Sequence, residues 1–244
     1  MMQLKRILML LAAVFLLSAC AARYDYANGI ALRLREIKGD KYTADVWVDV
    51  AFENGAAPAS LKAESIDIRG IGGGFSDTLI PWRDMPENVR VFNFDTTSTS
   101  SIVNKEVKLI IKNVQAHDKE YTGQWELPIV LKVDNSSVQY TAEPSPERAK
   151  DITFDLIEVC PRSLHFEAHG EISNTENGQD RDIELVLQNG EKYHRIAGST
   201  SITDDNDAIS IKVTRELGTQ IDIDSAAALI FDGIEYTLTK AKGQ

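Results

Sequence analysis

Apolar and polar residues alternate along most of the chain from Gly29 onward. In the longest run, residues 42–52, every second residue is apolar. A period of two places one face of a strand in the core and the other in water, which is typical of antiparallel sheets. Further strands are predicted at 30–35, 65–69, 89–94, 107–111 and 125–133, with turn formers at 53–55, 70–74 and 96–101. Short strands at this spacing predict a β-sandwich over residues 29–133.

A second group of alternating runs predicts another all-β domain over residues 151–240. The polar stretch DNSSVQYTAEPSPERAK, residues 134–150, contains two prolines that favour extended backbone, and it is predicted to be an interdomain linker. Strands are expected at 152–159, 164–172, 183–187, 209–213, 221–223, 228–231 and 234–238. A change of phase between Leu156 and Ile157 predicts a bulge. Asn189-Gly190 and Asp232-Gly233 predict two-residue hairpin turns.

The first nineteen residues have the organisation of a signal peptide. Two cations, Lys5 and Arg6, precede an apolar run at 7–17 that falls within the roughly 7–15 residues of a signal-peptide core. A helix that crosses a bilayer needs ~20 residues. The following Leu-Ser-Ala-Cys tetrad resembles the lipobox of bacterial lipoproteins. The resemblance implies cleavage after residues 1–19, lipidation of Cys20 by palmitate or a similar acyl chain, a tether at 20–28, and an anchor on the extracytoplasmic face of the cell membrane.

The net charge excludes one class of partner. The whole chain carries −11, and removal of residues 1–19 takes away Lys5 and Arg6 and no acid, which leaves −13. Nucleic-acid binding depends on Lys and Arg neutralising phosphates, so a chain this acidic is not expected to bind nucleic acid. Anionic lipid headgroups repel it as well. Membrane contact is therefore expected through the acyl chains on Cys20 alone.

Cysteine usage predicts folds that stand without disulfide bonds. The chain has two cysteines, and acylation of Cys20 leaves Cys160 without a partner in the same chain. Cys160 ends an apolar run and precedes Pro161. A free cysteine in such a run is predicted to be a small buried hydrophobic residue, with an intermolecular link as the alternative.

Two stretches contain residues that are typical of phosphate or zinc sites, but the surrounding pattern favours a structural role for both. The glycines of 70–74 follow a predicted strand, but a phosphate loop needs a following helix N-terminus, so a hairpin or bulge loop is predicted. His165, Glu167 and His169 lie in an alternating run that predicts a strand. At ~3.3 Å per residue the two histidine Cα atoms are about 13 Å apart, too far for one zinc ion to bridge easily. All three side chains are predicted to face solvent.

Two acidic loops are candidates for calcium. They are residues 174–182 and the run that contains Asp204, Asp205 and Asp207. Calcium prefers several oxygen ligands, and extracellular β-sandwiches bind it between loops. Neither loop has the spacing of an EF-hand loop, and Asp and Asn are frequent in turns for their own hydrogen bonding. No metal or other cofactor is therefore predicted, and these aspartates remain weak candidates.

The tryptophans give the best candidates for a partner surface. Trp47 lies between Asp45 and Asp49, and all three are predicted to face away from the core if Val46 and its alternating partners face inward. An aromatic ring flanked by carboxylates on a sheet surface suits a sugar or a protein partner. Cover of Trp47 by the neighbouring domain or a loop is the reading that the pattern favours over a partner surface. Trp82 is a second candidate with the same ambiguity, and Trp125 is predicted to be core.

Signals of catalysis are weak. The sequence has no G-x-S-x-G motif, and its histidines lie in polar or loop contexts. Catalytic triads are assembled in space, so the missing motif excludes only one family of arrangements. The expectation is a protein that is not an enzyme, with a hydrolase as the last alternative.

The closing strand of the first domain and the opening strand of the second carry a wider resemblance. GQWELPI, residues 123–129, and VCPRSL, residues 159–164, follow the patterns Gly-x-Trp-x-x-x-Ile and Val-x-Pro-x-x-Leu. They resemble the tandem immunoglobulin-like ectodomains of unknown function found in Gram-positive anti-sigma-factor-like membrane proteins. The family often has a cytoplasmic segment and a membrane-spanning helix where this chain has the lipobox. The resemblance implies no catalytic residues.

The sequence thus predicts an all-β chain of two tandem immunoglobulin-like antiparallel β-sandwiches after a lipoprotein signal peptide. The expected function is a non-enzymatic cell-surface lipoprotein that acts as an envelope binding or sensing module, with an envelope protein as partner. One alternative is a calcium-dependent structural or adhesive module. Another, implied by the family resemblance, is an extracytoplasmic partner of an anti-sigma-type signalling protein.

Overall fold

The computed structural model describes residues 25–54, 57, 62–71, 75–80, 86–116, 119–144, 152–170, 172, 182–194, 197–204 and 209–242. Over these residues the chain is all-β, with sixteen strands and antiparallel pairing throughout, as the alternation predicts. The strands are β1 (Ile30–Gly39), β2 (Thr43–Phe52), β3 (Lys62–Arg69), β4 (Phe75–Ile80), β5 (Val89–Thr97), β6 (Glu106–Ala116), β7 (Lys119–Val130), β8 (Val138–Pro144), β9 (Ile152–Val159), β10 (Ser163–Gly170), β11 (Ile183–Leu187), β12 (Lys192–His194), β13 (Ala197–Asp204), β14 (Ile209–Glu216), β15 (Ala226–Phe231) and β16 (Ile234–Lys240).

The N-terminal half, β1 to β7, has two sheets that share one core. One sheet has the order β1-β2-β5-β4 and the other β3-β6-β7. Val46 and Phe94 of the first sheet and Leu109 and Trp125 of the second belong to the same buried cluster. Because apolar side chains of both sheets meet there, the arrangement is sandwich-like. The predicted phase of the longest run and the core position of Trp125 are confirmed.

The C-terminal half, β8 to β16, has its own buried cluster. Its strands follow the order β12-β11-β15-β16-β8-β9-β10-β14-β13. β8 joins two groups of strands, because Val138 and Gln139 pair with β9 while residues 140–144 pair with β16. Leu185 and Tyr236 on one side of β8, and Phe166 and Val213 on the other, enter the same cluster.

The linker predicted at 134–150 is wrong over residues 138–144, which form β8. Its alternation rests on Val138, Tyr140 and Ala142, of which only Tyr140 is in the buried cluster, so the hydrophobic pattern was too weak to recognise. The hydroxyl of Tyr140 donates to the carbonyl of Ile223 at 2.6 Å and fixes the strand to the core. The described connection between the halves is therefore residues 131–137.

Three further strands, β4, β12 and β13, carry too little apolar alternation to be predicted. The strand predicted at 221–223 is absent from that described stretch. Ile221 is buried there as part of a loop, and its N–H donates to the carbonyl of Pro161 at 2.8 Å. A buried apolar residue in a loop gives the same sequence signal as a buried position in a strand, so the hydrophobic pattern alone does not distinguish them.

The turns and the bulge agree with the sequence in part. Asp232-Gly233 is the predicted two-residue turn, with φ of 51° and 74° and Phe231 paired to Ile234. At Asn189-Gly190 the loop has three residues, because the Leu187 N–H donates to the carbonyl of Glu191. Gly190 takes φ 86° there, as a type I turn followed by a bulge requires. The predicted bulge in β9 is confirmed beside Leu156.

Candidate functional site

The two halves meet around two buried carboxylates, and the first is Asp40. Its side chain is 0% exposed and accepts hydrogen bonds within its own turn from the N–H groups of Tyr42 and Thr43, both at 3.1 Å. From the other half it accepts the N–H of Arg162 at 2.8 Å and the hydroxyl of Ser163 at 2.9 Å. A buried charge is tolerated only when it is hydrogen-bonded this fully. Asp40 therefore fixes the start of β10 against the β1–β2 turn.

Glu158 forms the reciprocal contact from the C-terminal half. Its carboxylate accepts the ammonium of Lys41 at 2.7 Å and the hydroxyl of Tyr42 at 2.5 Å, both from the N-terminal half. Ser137 donates a third hydrogen bond at 2.6 Å. Burial opposes ionisation, but the bonds from Lys41, Ser137 and Tyr42 together hold the pKa of Glu158 below its ordinary value. Each half thus supplies a buried carboxylate that accepts two donor groups from the other half. We call these contacts of Asp40 and Glu158 the carboxylate clamp.

A histidine packs beside the clamp. His165 is 1% exposed, and its ring stacks on Tyr42 with centroids 4.1 Å apart. The hydroxyl of Thr214 donates to the carbonyl of Ser98 at 2.8 Å and lies 3.0 Å from Nδ1 of His165, so Nδ1 carries the proton. Burial lowers the pKa of His165, although the carboxylate of Glu167 opposes this. The imidazole is therefore neutral near pH 7.

Arg162 connects the clamp to the surface of the junction. Its guanidinium is 2.7 Å from Asp45 of the N-terminal half and 3.7 Å from Glu216 of its own half. Burial raises the pKa of Glu216, and the nearby carboxylate of Asp45 adds to this while Arg162 opposes it. Because the backbone N–H of Arg162 is held by Asp40, the guanidinium projects from a fixed point.

An open cavity of about 610 Å³ lies beside Arg162, with walls from both halves. We call it the junction cavity. Its lining residues include an indole ring, three cations, two carboxylates and an amide, namely Trp47, Lys38, Lys132, Arg162, Asp45, Asp134 and Gln220. Its volume lies within the ~300–1,000 Å³ of small-molecule sites. Gly39 at the cavity wall has no room for a side chain, because a Cβ there would lie 2.1 Å from the carbonyl oxygen of Thr43.

Two of the predicted surface residues line the same cavity in the structure, and a third is buried. Trp47 lies outside the core cluster and lines the junction cavity with Asp45, and the ammonium of Lys38 is 5.1 Å from its ring centroid. Asp49, predicted as part of the same surface, is 0% exposed. Arg33 and Arg35 both contact its carboxylate at 2.6 Å. Because this carboxylate is saturated within the N-terminal half, Asp49 is not available to a partner.

The predicted solvent-facing triplet on β10 is wrong for one member. The strand itself is confirmed, and Glu167 pairs with Lys212 and His169 with Asp155 at its outer part. His165 is buried because β10 has the core on one face and the N-terminal half on the other. Cys160 is buried and free, as predicted for a small hydrophobic residue, and burial raises its pKa far above the ordinary thiol range.

The predicted hairpin at 70–74 is wrong, because β3 ends at Arg69 in the three-stranded sheet and β4 begins at Phe75 in the four-stranded sheet. Residues 72–74 themselves lie outside the described part of the chain. Gly70 has φ 98°, a conformation that favours glycine. The segment after it begins a strand instead of the helix that a phosphate loop needs.

Several candidate residues lie outside the described part of the chain. They are Cys20, Trp82, Asp205, Asp207 and the side chain of Asp204. Within the described ranges, no three His, Cys, Asp or Glu side chains are grouped to hold a metal ion. A membrane-spanning helix is likewise not found among the residues that were placed.

Sequence reasoning missed the clamp and five of the cavity residues above. Asp40 and Arg162 are 122 residues apart, and no local pattern joins them. One signal was present, because Glu158 interrupts an apolar run between Ile157 and Val159. A charge in that position is buried with its strand and must find a partner.

Comparisons with known proteins give a fold and nothing finer. No family model matches the chain, and no curated protein matches it. Among solved structures, the crystal structure of the conserved domain protein from Bacillus anthracis aligns with a TM-score of 0.53 and 14% identity. The alignment covers 91% of this chain and 78% of that chain. At this identity the similarity concerns the fold alone.

Proposed function

We propose that this chain is a non-enzymatic, lipid-anchored binding module of the cell envelope that recognises its target in the junction cavity. Its two halves act as tandem immunoglobulin-like sandwiches, and the anchor is Cys20. The observation that carries the proposal is the composite wall of the cavity. Trp47 and Lys132 come from the N-terminal half, and Arg162 and Gln220 come from the C-terminal half.

The carboxylate clamp supports a preformed site. The buried carboxylates of Asp40 and Glu158 hold the two halves through hydrogen bonds of 2.5–2.9 Å across the junction. Because the halves are fixed to each other next to the cavity, its walls keep their spacing before a ligand arrives. A site that is organised in advance loses less entropy on binding.

The position of the tether supports presentation away from the membrane. Ala27 at the end of the tether bridges Ile30 at the start of β1, whereas Gly39 at the end of β1 lines the cavity. Ten strand residues span about 30 Å at ~3.3 Å each. The five residue steps from Cys20 to Asp25 reach at most ~18 Å. An anchor at Cys20 therefore holds the end of the N-terminal half that is remote from the cavity.

Two measurements test the proposal. Palmitate should label the wild type and not Cys20→Ala, and a wild type that stays unlabelled removes the anchor from the proposal. For the cavity, a photo-crosslinking residue at Gln220 should capture a specific envelope component in intact cells. The same residue at Thr237, exposed on β16, is the control. Equal capture from both positions, or none from Gln220, would contradict recognition in the cavity.

A further inference from the structure

The junction cavity differs in charge from the chain that surrounds it. The whole chain carries −11. The cavity lining has three cations against two carboxylates, which leaves it at +1. One of these carboxylates, Asp45, is already paired with Arg162 at 2.7 Å. The remaining ionic groups of the lining are Lys38, Lys132 and Asp134, so the cavity has a net positive charge in a chain whose net charge is −11.

Two polar side chains in the cavity have no protein group to bind. The ammonium of Lys132 and the amide of Gln220 have no hydrogen-bond or ion-pair partner among the described residues. Lys38 forms only a weak ion pair with Glu36. The two charged groups are 3.2 Å apart, and each side chain is more than two-fifths exposed to solvent. Asp134 differs, since the N–H of Ser136 donates to it at 2.8 Å and hydrogen bonding lowers its pKa. The donors available to a ligand are therefore mainly cationic or amide.

The indole of Trp47 adds a flat apolar wall to these donors. It stands on the outer face of β2 and is half-buried, with the ammonium of Lys38 5.1 Å from its ring centroid. Sugar rings present C–H faces to an aromatic ring and hydroxyls at their rims. Planar polar groups such as the Gln220 amide and the Arg162 guanidinium suit those hydroxyls. A simple inorganic anion makes no use of the indole, and a purely apolar ligand leaves Lys132 and Gln220 desolvated without partners.

We infer that the junction cavity binds an anionic saccharide, with a sugar ring on Trp47 and its carboxylate or phosphodiester group near Lys132 and Lys38. The inference rests on the proposed function and names its ligand class. Gln220 and Arg162 bind hydroxyls at the ring edge. Because the net charge of the chain is strongly negative, the attraction is local and acts at the distances of direct contact.

The test is a glycan array that carries uronate sugars, phosphodiester-linked sugars and the neutral parents of both, probed with the purified chain from residue 21 onward. Binding to at least one anionic class is expected, with at least a tenfold weaker signal for its neutral parent. The two anionic arms identify the source of the charge. Lys132→Gln keeps a hydrogen-bond donor and removes the charge, and it should weaken binding about tenfold, as expected for a lost charge-assisted bond. Lys242→Gln, at an exposed position outside the cavity, is the matched control and should bind as the wild type does.

Trp47→Ala tests the ring contact, and circular dichroism of each variant excludes loss of fold. No binding to any anionic sugar, equal binding to neutral sugars, or wild-type binding by folded Lys132→Gln overturns the inference. The proposed function fails separately, because it depends on capture from Gln220 in cells. A specific capture from Gln220 together with a silent array would keep the binding module and reject the saccharide.

Discussion

The carboxylate clamp and the junction cavity are neighbours built from the same loops. Their charged groups differ in whether they have hydrogen-bond partners within the protein. In the clamp, Asp40 and Glu158 are buried and every strong donor near them is used. In the cavity, Lys132 and Gln220 are exposed and have no partner in the described chain. The saturated groups can only hold the protein together, whereas the unsaturated ones are available to something else. Hydrogen-bond saturation therefore separates the charged groups that hold this protein together from those that are available to a ligand better than residue type does.

The largest expected effect is the loss of a clamp carboxylate. Glu158→Ala leaves the Lys41 ammonium and the hydroxyls of Tyr42 and Ser137 without their acceptor. Removing one partner of a buried ion pair costs about 3–5 kcal/mol. Urea denaturation should show this loss of unfolding free energy. Glu235→Ala, at an exposed position on β16, should change it by less than about 0.5 kcal/mol. Similar losses in both variants would mean that the clamp contributes nothing special.

A smaller effect is expected where clamp and cavity share a wall. Gly39→Ala places a Cβ 2.1 Å from the carbonyl oxygen of Thr43, so β1 and β2 must separate next to Asp40. Overpacking of this kind costs about 1–3 kcal/mol. Thermal unfolding should detect it. Gly190→Ala is the comparison, because its turn has open space for a methyl group and only the strained φ of 86° opposes it. A more stable Gly39→Ala protein would show that the close approach is not needed.

The pH dependence of stability sharpens the comparison further. The pKa of His165 is lowered in the fold, so between the ordinary value of 6.5 and the lowered value the unfolded chain binds the proton and the folded chain does not. Stability from this group is complete above pH 6.5 and decreases as the pH falls, by at most about 1.4 kcal/mol per pH unit. Burial lowers the pKa of His165, the carboxylates of Glu167 and Glu158 oppose this, and the charge of Lys212 adds to it.

Two carboxylates also make stability depend on pH. Glu158 does so at lower pH than His165, and Glu216 does so in the opposite direction. Glu158, with its lowered pKa, loses its contribution only as the pH falls below the ordinary 4.5. Glu216 has a raised pKa, so its contribution decreases as the pH rises above 4.5. Denaturation curves from pH 8 to pH 5 should therefore show a slope that His165→Gln reduces and Glu216→Gln makes steeper. An unchanged slope in His165→Gln would exclude the histidine as its cause.

The smallest expected effect belongs to the cavity. Lys132→Gln should alter the unfolding free energy by less than about 0.5 kcal/mol, because the exposed ammonium has no partner to lose in the described chain. Thermal denaturation checks this beside the binding assay. A large loss of stability would place Lys132 with the clamp and remove the distinction between the two regions.

The part of this fold that could be predicted is the part that depends on local periodicity. Val46, Val48 and Val50 enter the core because their alternation matches the strand repeat. The Asp232-Gly233 turn follows from the backbone freedom of its two residues. β8 escaped notice because Tyr140 is its buried residue in the core cluster and Val138 and Ala142 are only partly buried, which gives little hydrophobic signal beside two prolines.

Only the residues of the candidate site that share one strand face could be predicted from the sequence. Trp47 and Asp45 were predicted to share a strand face, and both line the junction cavity from β2. The predicted role of Asp49 failed because its fate depends on two arginines of another strand, Arg33 and Arg35. Nothing local distinguishes Asp45 from Asp49. The difference between them is which arginine the fold brings near.

The position of β1 has a mechanical consequence. Its start adjoins the tether and its end borders the junction cavity, and it pairs with β2 from Ile30 with Phe52 to Gly39 with Ala44, with one bulge between Leu34 and Glu36. A pull between a held ligand and an anchored N-terminus would act along the strand direction. Ladder hydrogen bonds run perpendicular to antiparallel strands, so such a force loads them together in shear instead of peeling them one at a time. The proposed anchor and the proposed site therefore lie at the two ends of a strand pair that would carry tension in shear.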